Sequence, residues 1–536
     1  MSNASQRIRI VSILLSFVAL VRPTVVQGQG PALAGAWSDT IQAPIVAVAA
    51  AMLPTGNLLI WSSNTALSYE GDIGMMPSNT LMAVVTPSTG TVTPALDSGV
   101  AADMFCPGIS MLPDGRLLVD GGSSSSHTSF YDPFLGVTGT WVDGAPMNIP
   151  RGYNTDVTLS DGNVFTIGGS WSGPLTQAPQ AGELWSPAAG WQLTGIPGGV
   201  ILGPDLVDQA QGFLQFGDDH AWLFAMPNGR VFHAGPANQM NFFDPAISTW
   251  TPAGTRGNDP YSINGVAVMY EPGKIFKAGG AQAYRGDTGQ LIGPINASAS
   301  TYVIDVTEDY TDPTALPVVR QIMPLNHARA FANGVVLPDG KVFIVGGQSQ
   351  PIQFTDDNSV MIPEIWDPVT ERSIDMAPME VPRHYHSTAL LLPDGRVFVG
   401  GGGQCGDCTG NDGVMASANH LDFNFYSPPY LFAPDGTPAV RPAITSVPAT
   451  FTLGGQLGVS ASPTVTSFSL VRLGSATHTI DTDQRRIPLT VASNINGSFV
   501  LNVPSDPGIT VPGYYMLFAL DATGVPSAAA IIHVGS

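Results

Sequence analysis

One short pattern recurs seven times in this chain: a tight glycine turn followed at once by an apolar, strand-forming run. It reads Pro54-Thr-Gly-Asn-Leu-Leu-Ile-Trp, Pro113-Asp-Gly-Arg-Leu-Leu-Val, Ser160-Asp-Gly-Asn-Val-Phe-Thr-Ile, Pro227-Asn-Gly-Arg-Val-Phe-His, Pro272-Gly-Lys-Ile-Phe-Lys, Pro338-Asp-Gly-Lys-Val-Phe-Ile-Val and Pro393-Asp-Gly-Arg-Val-Phe-Val. The turn glycines Gly56, Gly115, Gly162, Gly229, Gly273, Gly340 and Gly395 are 44 to 67 residues apart. Asp-Gly before a β-branched run is a strong hairpin signal. A small sheet repeated at this interval cannot bury both of its faces alone, so the copies must stack on one another. Only 11% of residues are charged, while Gly (61) and Pro (46) are abundant, which suits many short strands joined by turns.

Two further landmarks keep step with the turns. Gly-Gly closes several strands, at Gly121-Gly122, Gly168-Gly169, Gly279-Gly280, Gly346-Gly347 and Gly400-Gly401. An aromatic before Asp-Pro or Ser-Pro marks an outer turn, at Tyr131, Trp185, Phe243 and Trp366. This is the kelch pattern, and seven copies predict a seven-bladed kelch-type β-propeller over residues 29–430. The Gly-Gly pairs are expected to let the innermost strands crowd toward the axis. A Pro-, Ala- and Gly-rich stretch, 431–441, reads as a linker. Residues 442–536 hold seven short alternating segments and predict a C-terminal immunoglobulin-like β-sandwich, making the chain all-β.

Residues 1–28 read as a signal peptide. Arg7 and Arg9 precede an apolar run from Ile10 to Val21, too short to span a bilayer. Secretion and an extracellular location follow as expectations, and no later segment approaches a membrane-spanning length. A net charge of −21 argues against nucleic acid and anionic membrane as partners. The expected partners are small molecules, and the chain is expected to be a monomer. Of three cysteines, Cys405 and Cys408 are close enough to form a small-ring disulfide, which leaves Cys106 to be explained. A buried thiol is the plain explanation. Asn296-Ala-Ser and Asn496-Gly-Ser are glycosylation sequons. No zinc-ligand spacing, nucleophile elbow or phosphate loop is present, so hydrolase and nucleotide chemistry lack support.

Several stretches resemble the galactose oxidase-like copper radical oxidase family. They are Asp103-Met-Phe-Cys-Pro-Gly-Ile-Ser, Arg151-Gly-Tyr with the blade that follows it to Gly173, Tyr385-His386-Ser, Gly402-Gly-Gln-Cys-Gly-Asp-Cys408, and Ala476-Thr-His-Thr-Ile-Asp-Thr-Asp-Gln-Arg-Arg-Ile-Pro-Leu489. The resemblance implies one copper ion held by Tyr153, Tyr385, His386 and His478. It implies a Cys106–Tyr153 thioether-linked radical cofactor made from the protein itself, with Trp171 stacked over it. Imidazole and phenolate donors suit Cu(II). Tyr385 would take the alcohol proton, and Tyr153 as a radical would abstract hydrogen from carbon. On this reading the odd cysteine, Cys106, is consumed by a self-processing cross-link. The other histidines (His127, His220, His233, His327, His384, His420 and His533) are read as structural or surface residues.

The implied activity is oxidation of a primary alcohol to its aldehyde with reduction of O2 to H2O2. Where the family carries a sugar-binding arginine this chain has Phe216, and where it carries a glutamine this chain has Arg285. Phe331 and Phe354 keep the pocket aromatic. Loss of the guanidinium fork and gain of a ring predict a preference for aryl, aliphatic or other non-galactose alcohols. Alternatives stay open: Arg285 could restore hydroxyl binding for galactosides, and a glyoxal oxidase-type aldehyde oxidase would share the same five central residues. A non-enzymatic kelch scaffold is the alternative of another class.

Overall fold

A computed structural model describes residues 30–67, 79–170, 172, 179–202, 217–284, 295–404 and 418–535. The signal segment 1–28, Trp171, Phe216, Arg285, Cys405 and Cys408 lie outside the described residues.

Seven antiparallel sheets form the β-propeller. Each of the seven turn glycines joins the first and second strands of a blade, and each has φ between 74° and 89°. L-residues with a side chain pay for that conformation, so the recurrence of glycine is a backbone requirement. The aromatic landmarks fall in third strands, such as Tyr131 in Thr128–Asp132 and Trp366 in Glu364–Asp367. Adjacent blades share apolar clusters, the largest of which runs through Leu58, Trp61, Phe276, Phe343, Trp366, Phe398 and Tyr426.

Two features of the ring were not expected from the repeat. The short strands Ala36–Trp37 and Ile41–Gln42 pair with Asp422–Ser427, so the N-terminal segment completes the last blade and closes the ring. The C-terminal domain also lends a strand: Ser475–Thr477 pairs with Ala49–Met52 on the inner edge of the first blade. The Gly-Gly pairs have a more specific role than crowding at the axis. They end second strands, where the chain entering the next blade crosses them. A Cβ on Gly122 would lie 2.3 Å from Phe105 O, and one on Gly168 2.0 Å from Asp218 O. Their amides bond across blades, Gly122 N–H to Arg151 O (3.0 Å) and Gly347 N–H to Arg383 O (2.7 Å).

The C-terminal β-domain has two sheets joined through one long strand, Arg486–Ile495, whose first half pairs with Val465–Arg472 and second half with Ser498–Asn502. Eight strands take part rather than seven, Ile444–Ser446 being the addition. Alternation on Gln456–Ala461 (Leu457, Val459 and Ala461 in; Gln456, Gly458 and Ser460 out) packs one face against Phe468, Leu470, Phe499 and Leu517. Among the described residues, no helix is long and apolar enough to cross a membrane.

Candidate metal centre

The site is built from one position of the repeat. Just before or at the start of the innermost strand of successive blades stands a left-handed residue. These are Cys106 (φ 61°), Tyr153 (66°), His220 (55°), Asn264 (55°), Phe331 (61°) and His386 (68°). Such a backbone costs a bulky residue roughly 1–3 kcal/mol and persists only where its surroundings over-determine it. Here the corners bond to one another around the axis. Tyr153 N–H donates to Cys106 O (3.0 Å), His220 N–H to Tyr153 O (2.9 Å) and Phe331 N–H to Asn264 O (2.9 Å).

A buried arginine braces three of these corners from behind. Arg151 donates to Gly168 O (3.0 Å) and Glu183 (2.9 Å). Arg329 donates to Gly346 O (3.1 Å) and Glu364 (2.8 Å). Arg383 donates to Gly401 O (3.0 Å) and Asp422 (2.5 Å). Each stands two or three residues before its corner, so repeat chemistry positions Tyr153, Phe331 and the Tyr385-His386 pair.

The remaining residue, His478, arrives from the C-terminal domain. The segment that carries it runs through the propeller's middle and bonds to six of the seven blades in turn. Thr477 Oγ1 donates to Val48 O (3.2 Å), Met111 N–H to Asp483 (2.8 Å) and Thr482 Oγ1 to Asp156 O (2.7 Å). Arg485 reaches Ala225 O (3.4 Å) and bridges to Met269, and Gln484 donates to Gly334 O (2.9 Å). His478 itself is left-handed (φ 51°).

These elements bring Cys106, Tyr153, Tyr385, His386 and His478 into one buried cluster. The Tyr153 and Tyr385 hydroxyls share a short hydrogen bond. Cys106 Sγ lies 3.4 Å from His478 Nε2 and 3.9 Å from His386 Nε2. The two imidazoles meet edge to face at 4.5 Å, and Tyr385 stacks on His386 at 3.9 Å. His386 Nδ1–H donates to Gly403 O (2.5 Å), which leaves its Nε2 lone pair turned to the cluster. His478 Nδ1 is paired with Thr477 Oγ1 at 2.7 Å. Phe331 and Phe354 pack on Tyr385 at 5.0 and 5.2 Å, so both expected pocket residues do border the cluster.

Burial decides the protonation of the group. It pushes His386 down to about 3 and His478 well below the ordinary imidazole value, with His386 and His220 adding to the latter. Both rings are therefore neutral bases. Burial also pushes Tyr153 and the Cys106 thiol well up; a hydrogen bond with Tyr153 partly offsets the rise at Cys106. Two neutral imidazoles and two phenols form a donor set that a divalent metal would complete, and the N,O mixture fits Cu(II).

His220 was missed from sequence. It stacks on His478 (5.0 Å, 17°) and lies 4.6 Å from the Tyr153 ring. Aligning the blades would have found it, because it occupies the fourth blade's left-handed corner. Tyr284, 5.6 Å from Phe331, is a second wall residue with no local signal of its own.

The loop that delivers His478 carries a pH-dependent cost. Burial, and then the charge of Asp483, push the Asp481 carboxyl up to about 8 from its ordinary value of 3.8. The folded chain therefore holds that proton in a range where the unfolded chain has released it, and stability falls as pH rises from about 4 to about 8. Asp481→Asn keeps an oxygen for the Ser475, Asp483 and Gln484 amides and has no proton to lose. Denaturation midpoints compared across this range should show the variant gaining on the parent, with the gap flat above it. A constant gap would mean that Asp481 does not titrate there.

Comparisons with known proteins agree with this geometry. Residues 441–534 match the family described as galactose oxidase-like, early set domain, and residues 276–430 match the glyoxal oxidase N-terminus. The chain is 41% identical to a galactose oxidase of Gibberella zeae over 93% of its own length and 70% of the relative's. It is 28% identical to an aldehyde oxidase of Vitis pseudoreticulata over 80% of this chain and 82% of that one. A solved fungal alcohol oxidase of the AA5 family, in complex with copper, superposes with a TM-score of 0.84 at 38% identity, covering 94% of this chain and all of that one.

Proposed function

The chain belongs to the galactose oxidase-like copper radical oxidases, and on that premise we propose that it is a secreted oxidase of primary alcohols with a preference for non-galactose substrates. The observation that carries the reading is the meeting of Tyr153, Tyr385, His386, His478 and Cys106, from distant segments, in one buried cluster. A binding scaffold needs none of these residues.

Tyr153, Tyr385, His386 and His478 would hold copper, which supplies a one-electron redox couple and a Lewis-acidic position for the alcohol oxygen. The protein's own groups do the rest. Tyr385 Oη accepts the hydroxyl proton. Tyr153, whose hydroxyl lies beside that of Tyr385, would take the hydrogen atom from the carbinol carbon once oxidised. In balance, RCH2OH and O2 give RCHO and H2O2. Phe331 and Phe354 cover Tyr385 and keep water from it. A Cys106–Tyr153 thioether would make oxidation of that ring cheaper; forming it would remove a ring C–H of Tyr153 and the Cys106 S–H, make a C–S bond and pass both hydrogens to O2 as H2O2.

Support for the substrate class comes from the aromatic wall of Phe331, Phe354 and Tyr284, and from Phe216 at the position of the family's sugar-binding arginine. The solved relative is itself named an alcohol oxidase. The test is a peroxide-coupled screen of copper-loaded protein over benzyl alcohol, short aliphatic alcohols, galactose and small aldehydes, paired with intact mass. We expect turnover of aryl and aliphatic alcohols above galactose and a mass short by two hydrogens, restored in Cys106→Ser. Galactose oxidised far faster would overturn the substrate class. Fastest turnover of aldehydes would favour the glyoxal oxidase-type reading. No peroxide with an unchanged mass would return the chain to a scaffold.

A further inference from the structure

Beside the central cluster lies a second group of metal-ligating side chains. His384 Nε2 and His420 Nε2 both converge on Asp356 Oδ1, at 3.0 and 2.8 Å. The three ligand atoms lie within 4.8 Å of one another, and the two rings stand at 70° with centroids 5.4 Å apart. We propose that Asp356, His384 and His420 form a second metal site, distinct from the copper centre, for a divalent transition ion of the zinc class.

Four observations carry this. First, both rings turn to the same carboxylate oxygen, which places two nitrogen donors and one oxygen donor around one point. Second, the His384 side chain is fully buried and its Nδ1 makes no hydrogen bond, so the proton that Nε2 now donates to Asp356 can shift to Nδ1 and leave the Nε2 lone pair for a metal. Third, a glycine keeps the neighbouring space clear: a Cβ on Gly402 would come within 3.1 Å of His420 Cδ2 and 3.7 Å of His384 Cε1. Fourth, the Asp356 side chain is 46% exposed, so the remaining coordination positions open to water. A tetrahedral zinc at about 2.0–2.2 Å from its ligands holds them about 3.4 Å apart, a small outward shift from the distances seen. Two imidazoles and a carboxylate suit zinc, and leave a position for solvent.

The site would brace the pocket. Asp356 follows Phe354 by two residues, His384 precedes Tyr385, and Ala418 N–H donates to Phe354 O (3.0 Å) close to His420. An ion here would lock the Phe354 wall onto the segment that carries Tyr385.

The experiment uses the copper-loaded full chain, so that the central cluster is occupied. It is dialysed against Zn(II), and both metals are counted. We expect one zinc per chain, a raised unfolding midpoint with zinc present, and loss of the zinc but not the copper in His420→Ala and in Asp356→Asn. No zinc above background in the parent chain, or zinc retained in both variants, would overturn the proposal. The half-exposed position of Asp356 guards its variant against a trivial folding defect, and circular dichroism checks both variants.

Discussion

Replacing Tyr385 with phenylalanine should lower kcat by about 10²–10⁴-fold, the range for loss of a positioned proton acceptor, with little change in fold stability. The ring keeps its packing: it stacks on His386 and is enclosed by Phe331, Phe354 and Tyr284, none of which contacts it only through the hydroxyl. The repeat already accepts phenylalanine nearby, at the Phe331 corner. What is removed is the oxygen that shares a hydrogen bond with Tyr153 Oη. Steady-state rates by peroxide release, with copper content measured on the same samples, make the comparison. A loss smaller than tenfold at equal copper would place the proton acceptor elsewhere.

Asp483→Ala should destabilise the whole chain by about 3–5 kcal/mol, the usual consequence of removing one partner from a buried ion pair. Asp483 is 1% exposed and accepts from Arg472, from Met111 N–H (2.8 Å) and from Ser475 Oγ (2.5 Å). Arg472, itself 2% exposed, would be left as an uncompensated charge whose other bond goes to Met111 O (2.7 Å). The effect should reach the metal centre, because Asp483 anchors the loop that presents His478 five residues earlier. Denaturant unfolding of the full chain and copper retention after dialysis should fall together. Unfolding unchanged from the parent would mean that the C-terminal domain is held by other contacts.

Much of this was legible before any coordinates. A turn glycine with positive φ followed by a β-branched run is a local requirement, so all seven hairpins could be placed from residues alone. Cys106, Tyr153, Tyr385, His386 and His478 could be singled out through family resemblance, and Phe331 and Phe354 with them. The left-handed corners could not be read in the same way. Nothing in Arg151-Gly-Tyr announces φ 66° at Tyr153, which is a product of Cys106 O in one blade and His220 N–H in another. Tyr284 escaped for the same reason, since its contacts run between blades, whereas His220 was open to sequence only by aligning the blades on their turn glycines.

By itself, then, the sequence determined what each repeat must be: a short antiparallel sheet with glycine at its first turn and, in most blades, at the crossing with its neighbour, because those backbone conformations and close approaches admit little else. It also determined the kinds of donor available for chemistry. Only the tertiary structure decided how the ring is closed and where the donors meet. The pairing of Ala49 with Thr477, and of Trp37 with Tyr426, joins segments about four hundred residues apart. Such pairings are chosen by which buried backbone groups remain unpaired once the blades have stacked, and no local pattern records them. His478 reaches Tyr153 and Tyr385 for that reason: the first blade's inner edge lacked a partner strand, and the C-terminal loop that fills it ends at the axis.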